Sequence, residues 1–329
     1  MRPEGILPGL SFLAVTLAAL ALGLFGTGGS TASSATAWQP LPHAELERSE
    51  VGAARVGGAI YVVGGFVRPS ETSDAVERYD IERHRWQRVA PLPIAVNHAA
   101  VAALGRFLYV YGGYTSSFSG ETGALQRYDP QSGTWTLLPS SPIKRAAAAL
   151  VSWRGELYAV GGTDGDPELR TLEIYDVAQR RWRSAPPMAT AREHLAAVAT
   201  GDGVYVLGGR AGGANLAVVE RFQPGRGRWV RLPNLRYARS GFAAVAVAGR
   251  PIAFGGEELT EDGQTIRPVE LFDPVLRRWL QLPDMHTPRH GLGGAALGRR
   301  IYAIEGGPSP GFAFSDAIEF LDVSRRLLR

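Results

Sequence analysis

The stretch Tyr109-Val-Tyr-Gly-Gly113, an apolar run closed by a glycine pair, occurs in six versions along this 329-residue chain. The others are Tyr61-Val-Val-Gly-Gly65, Tyr158-Ala-Val-Gly-Gly162, Tyr205-Val-Leu-Gly-Gly209, Ile252-Ala-Phe-Gly-Gly256 and Tyr302-Ala-Ile-Glu-Gly306. The first doublet position falls at 64, 112, 161, 208, 255 and 305, in steps of 48, 49, 47, 47 and 50 residues. A fixed period near 50 predicts a repeat architecture and overrides the two domains that length alone suggests.

Each repeat reads as four short strands. Around the quoted stretch, the apolar run Ala99–Leu104 is followed by a Gly105-Arg106 turn and then by Phe107–Tyr111. After a polar loop, Leu125–Asp129 alternates as a half-buried strand does. Pro130–Gly133 is a turn by composition, and Trp135–Leu138 forms a fourth strand closed by Pro139 and Pro142. The aromatic ending strand three is Tyr79, Tyr128, Tyr175, Phe222, Phe272 and Phe320, and a tryptophan stands seven residues after the first five. The last repeat has Leu327 there instead, while Trp38-Gln-Pro-Leu-Pro42 looks like a detached fourth strand. The N-terminal strand is therefore expected to complete the last unit and close the ring, removing its open edge.

The glycine doublet, the strand-three aromatic and the tryptophan seven residues later resemble the kelch motif. Six copies cover essentially residues 38–326. The resemblance implies an all-β, six-bladed kelch β-propeller, closed by the N-terminal strand. Ile252, Glu305 and Leu327 depart from the motif.

Residues 1–37 are expected to form a signal peptide or an N-terminal membrane anchor with a small-residue linker, and 38–329 the propeller. Leu10–Phe25 is free of charge, and a small, polar stretch leads to Ala35-Thr-Ala37, an A-x-A pattern. The run is short of the ~20 residues of a spanning helix. Cleavage and an uncleaved anchor at residues 10–25 are both open; each places the body outside the cytoplasm, periplasmic or extracellular. The chain has no cysteine, which removes disulfides, thiolate metal sites and cysteine nucleophiles. Lys+Arg outnumber Asp+Glu by four, with Lys144 the only lysine, too weak and dispersed a balance for a nucleic-acid partner.

Sixteen residues before each doublet stand Arg48, Val96, Arg145, Arg192, Arg239 and Arg289. These positions precede strand one, so they share a face with the loops that the doublets open. Two readings are open: guanidiniums that brace the ring, or an arginine-lined mouth whose positive field favours anions. In kelch adaptors of ubiquitin ligases, arginines at this position grip acidic peptides, and Arg48, Arg145, Arg192, Arg239 and Arg289 are similar in position. The residues after the doublets include Phe66, Tyr114 and Arg210, which resemble kelch contact positions. These eight residues are the expected ligand-binding set.

No catalytic residue, metal or cofactor is expected. The six histidines lack a spacing such as H-E-x-x-H. His98 and His194 hold the same repeat position, 14 before the doublet, in blades that are not neighbours, which argues against shared ligation. Asp164-Gly-Asp166 with Glu168 lacks the remaining ligands of a calcium loop. Galactose oxidase is a kelch propeller whose copper chemistry needs a cysteine-linked tyrosine, excluded here. The leading expectation is a monomeric, non-catalytic module binding a protein loop or a small anionic ligand, an acidic peptide or a carboxylated sugar, at its mouth. The alternatives are a sialic-acid-type mutarotase (epimerase), using the arginines with Glu257 and His194, and a structural cell-envelope interaction protein.

Overall fold

The computed structural model describes residues 37–165, 168–260 and 263–328. The expected signal or anchor lies outside them, as does part of the Asp164-Gly-Asp166 turn. Among the described residues there are six four-stranded antiparallel sheets, joined by short turns. Blade one is Gly52–Val56, Ala59–Val63, Val76–Asp80 and Arg85–Arg88, and the same order recurs through blade five. The first strands of successive blades pack on one another around an axis, and that of blade six packs on that of blade one.

Blade six is built from both ends of the chain. Gly293–Leu297, Arg300–Ile304 and Ile318–Asp322 supply three strands, and Gln39–Pro40 pairs with the third. The indole of Trp38 donates to Pro283 O of blade five at 3.0 Å. Trp86, Trp135, Trp182, Trp229 and Trp279 make the same bond to Pro42, Ala90, Pro139, Pro186 and Pro233. Trp38 thus does for blade six what those five do for theirs: each indole locks its outer strand to the preceding blade. One expectation is corrected here. Ala303 pairs with Glu319 as Val62 does with Glu77, so the counterpart of Tyr79 is Leu321, and Phe320 stands where blade one has Arg78. The register that pairs Gln39 with Phe320 sets Trp38 opposite Leu321, as Trp86 is opposite Tyr79.

The doublets recur because the backbone demands them. Gly64 and Gly65 have φ of 61° and 85°, and a Cβ on Gly64 would sit 2.1 Å from Val96 O of the next blade. A side chain there is excluded by the neighbour as well as by the left-handed conformation.

Candidate functional site

Three consecutive residues before each first strand have distinct jobs. The first is the arginine position. Arg48, Arg145, Arg192, Arg239 and Arg289 are fully buried. The first four donate to the carbonyl of their own doublet, Gly64, Gly161, Gly208 and Gly255, at 2.9–3.2 Å, and Arg289 donates to Ala303 O. Each also pairs with a strand-three glutamate of its own blade: Glu77, Glu173, Glu220, Glu270 or Glu319. Burial pulls the Arg192 and Arg239 guanidiniums down to about 10 despite Glu220 and Glu270. The expectation that these arginines line the mouth is therefore corrected: they brace five of the six blades from within and present no charge to a ligand.

The second position bridges to the residue after the doublet. Ser49 meets Phe66, Asn97 meets Tyr114, Ala146 meets Thr163, Glu193 meets Arg210, Ser240 meets Glu257 and His290 meets Gly307. The two loop sets expected to share a face do so. The third position is Glu50, His98, Ala147, His194, Gly241 and Gly291, all with φ between 48° and 58°. His98 N donates to Glu50 O, Ala147 N to His98 O, His194 N to Ala147 O, Gly241 N to His194 O and Gly291 N to Gly241 O. Val51 N completes the circle on Gly291 O. This hydrogen-bonded hoop carries the third side chains close to the axis.

On the mouth side of the hoop is a cavity of about 150 Å³, lined by Phe66, Phe118, Phe312, Glu50, His98, His194, Arg210, Glu257 and His290 among others. A second, of about 90 Å³, shares Glu50, His98 and His194 and is lined by the hoop and by the residues just ahead of the first strands. Of the expected ligand-binding residues, Phe66 and Arg210 line the mouth cavity. Tyr114 is buried beside it with its ring edge on His98, and burial pushes its hydroxyl up to about 12. Arg210 is not a free cation, since Nε pairs tightly with Glu193 and an Nη lies 3.6 Å from Glu257.

His98 and His194 contact each other with ring centroids 4.8 Å apart. The sequence separation that argued against shared ligation is misleading, because residues this near the axis reach across the intervening blade. Burial lowers the His98 imidazole to about 4 against the pull of Glu50. Burial pushes the Glu50 carboxyl up, but His98, His290 and His194 outweigh it and hold the group well below the ordinary range. Glu193 is likewise buried, yet His194 and Arg210 bring it down to about 2. Glu193 and Glu257 flank the Arg210 guanidinium, and Glu50 and Glu257 flank His290; burial lowers the His290 imidazole, but these two carboxylates outweigh it and raise it above its ordinary value.

Sequence reasoning missed Glu50, Glu193, His290, Phe118 and Phe312. Glu50 shares the repeat position of His98 and His194, a signal that was present. Phe118 and Phe312 sit in loops of unequal length, where no repeat register marks them.

A six-bladed propeller with glycine-doublet blades and an axial cavity at one mouth defines the class. The profile of the KLHDC2/KLHL20/DRC7 Kelch-repeats domain matches residues 50–256, and the chain belongs to the kelch-repeat family. It is 34% identical to Kelch-like protein terF of Aspergillus terreus over 139 residues, 38% of this chain and 30% of that protein. It is 31% identical to Kelch repeat and BTB domain-containing protein 1 of cowpox virus over 131 residues, 39% of this chain and 23% of that protein. The matched region thus spans under a third of these curated relatives. The solved structure of YjhT superposes with a TM-score of 0.73 at 16% identity, covering 84% of this chain and 95% of the other, a likeness of fold.

Proposed function

We propose that this propeller is a non-catalytic binding module that receives a protein loop at its mouth. One observation carries this reading: Phe118 and Phe312 are 54% and 45% exposed, 5.7 Å apart, and both rest edge-on against the buried ring of Phe66. Exposed aromatics at the rim of a cavity are the usual anchors of a protein contact. The partner loop that fits carries an apolar side chain for these rings. Its selection does not rest on negative charge, because the arginines are spent inside the blades. Kelch propellers typically serve as protein-binding modules, which agrees with this role.

The test is to cross-link the full chain to its partner in the native cell, identify the partner, and measure binding with purified components. Phe118→Ala with Phe312→Ala should weaken binding at least about tenfold, the scale of aromatic hot spots, with unfolding unchanged. Unchanged affinity would overturn the proposal. We further propose that the module lies outside the cytoplasm, on the strength of the uncharged run Leu10–Phe25 and Ala35-Thr-Ala37. Mass spectrometry of the mature protein should find an N-terminus at Trp38 or an intact chain in the membrane fraction; an intact chain in the cytosol would refute export.

One observation favours a second, enzymatic reading. Arg210, His194 and Glu257 converge on the cavity, with an Arg210 Nη 3.5 Å from His194 Nε2. An arginine to hold a carboxylate and an acid or histidine to move a proton would suffice for sugar mutarotation. Anomer exchange of sialic acid followed by NMR decides it, and no acceleration by purified protein would sink it.

A further inference from the structure

We propose that Glu50, His98 and His194 form a divalent transition-metal site on the propeller axis, with an open coordination position facing the mouth. One carboxylate oxygen and one nitrogen from each ring lie within 4.8 Å of one another. Small side-chain rotations bring such a set to the bond lengths of about 2.0–2.2 Å that zinc takes with imidazole and carboxylate.

The proton positions favour a metal. Asn97 Nδ2 donates to Thr72 Oγ1 at 2.7 Å and Ser117 O at 2.9 Å, which orients the amide so that its Oδ1 accepts. His98 Nδ1 lies 2.6 Å from that oxygen and therefore carries the hydrogen. In the neutral ring this leaves a lone pair on Nε2, which points at Glu50 Oε2 across 3.3 Å. Two electron-pair donors thus face each other with no proton between them. His194 repeats the arrangement: Nδ1 pairs with the Glu193 carboxylate, leaving the Nε2 lone pair on the cavity side, where an Arg210 Nη lies 3.5 Å away and would swing aside for an ion. Metal-binding histidines are held in this way, with the outer nitrogen tied to a carboxylate or carbonyl and the inner one free to ligate.

Charge and access agree. A dication would offset the carboxylates of Glu50, Glu193 and Glu257, which outnumber the Arg210 guanidinium among the described residues around the cavity. The three donors are common to both axial cavities, so an ion has a path to them from the mouth. His290 is buried, with its Nδ1 3.3 Å from Glu50 Oε1. It is placed to position Glu50 rather than to ligate. Two imidazoles and one carboxylate suit zinc and its neighbours, and leave a fourth site for water or a ligand group.

The test uses the full chain, stripped with chelator and titrated with Zn²⁺ by calorimetry and with Co²⁺ by visible absorption. One equivalent should bind, and Co²⁺ should give the strong bands of a low-symmetry site. His98→Asn and His194→Asn should abolish those bands; asparagine tolerates the left-handed backbone at both positions. Glu193→Gln, which changes the outer partner of His194 and also removes the carboxylate paired with Arg210, should weaken Zn²⁺ by about 10–100-fold. His43→Asn, at an exposed histidine, should change nothing. Should the ligand variants fail to fold, ¹⁵N NMR of the unmutated protein decides: Zn²⁺ must shift His98 and His194 Nε2. Absence of a stoichiometric site, or of those Nε2 shifts, overturns the proposal.

Discussion

Val96 and Gln126 occupy, in blade two, the positions that arginine and glutamate hold in the other five blades, so the two charges are lost together. Gln126 Oε1 accepts from Ile94 N at 2.9 Å, and its Nε2 donates to Ile94 O at 3.1 Å. A glutamate there would meet the carbonyl of Ile94 with a second acceptor and have no guanidinium beside it. A neutral amide is the side chain that satisfies both backbone groups without one.

Gln126→Glu should therefore destabilise the propeller by roughly 2–4 kcal/mol, the cost of an unpaired buried charge offset by partial protonation. The shift in urea midpoint measures it. Adding Val96→Arg should recover part of the loss, whereas Val96→Arg alone should not help.

Reversing two of the brace arginines, Arg192→Glu with Arg239→Glu, should abolish folding rather than binding. Each change sets two buried acids against each other, and breaking a single buried pair costs about 3–5 kcal/mol. Loss of soluble protein is the expected result. A folded double variant would show that the braces are dispensable.

Glu305 makes stability depend on pH. It is fully buried with φ 53°, where the other blades have glycine, and shares Arg48 with Glu77. Burial raises its carboxyl to about 7 from 4.5, against the opposing pull of Arg48. The folded state then holds a proton that the unfolded chain releases between those values. Its contribution to stability is full below pH 4.5 and is lost as pH rises toward 7, on the order of 1–3 kcal/mol. Glu305→Gln should flatten that segment of the curve, measured by urea unfolding across the window.

Trp38→Ala should cost about 3–5 kcal/mol, the usual price of deleting a large buried ring. Trp38 is buried in the core of blades five and six, with its ring 5.7 Å from that of Phe254. Trp86→Ala, at a more exposed indole, should cost less by the same denaturation measurement.

The fold was legible because glycine at a left-handed position against a neighbour's carbonyl has no substitute cheap enough to hide the period. Trp38 betrayed the closure because its strand carries the same Trp-x-x-Leu-Pro pattern as Trp229 and Trp279. The direction of the arginines was hidden, since their repeat position is compatible with either face. Its answer lay in the glutamates two residues before Tyr79, Tyr175, Phe222, Phe272 and Leu321, a second periodic set that pairs with the first. The axial cluster was illegible for a geometric reason: distance along a repeat chain stops predicting distance in space where six blades converge.

The split blade also sets an order of events during synthesis. Among the described strands Gln39–Pro40 is the first to leave the ribosome, yet its partner Ile318–Asp322 is the last. Until then blade six lacks the strand on which Gln39–Pro40 pairs, and nothing holds Trp38 in register over Pro283. The five preceding blades form an open arc until residues 293–322 are made, and the ring closes only through a pairing of segments far apart in sequence, the kind of contact that costs most loop entropy. A ribosome stalled anywhere short of that point would hold an arc with two raw edges, whatever the quality of the blades already made.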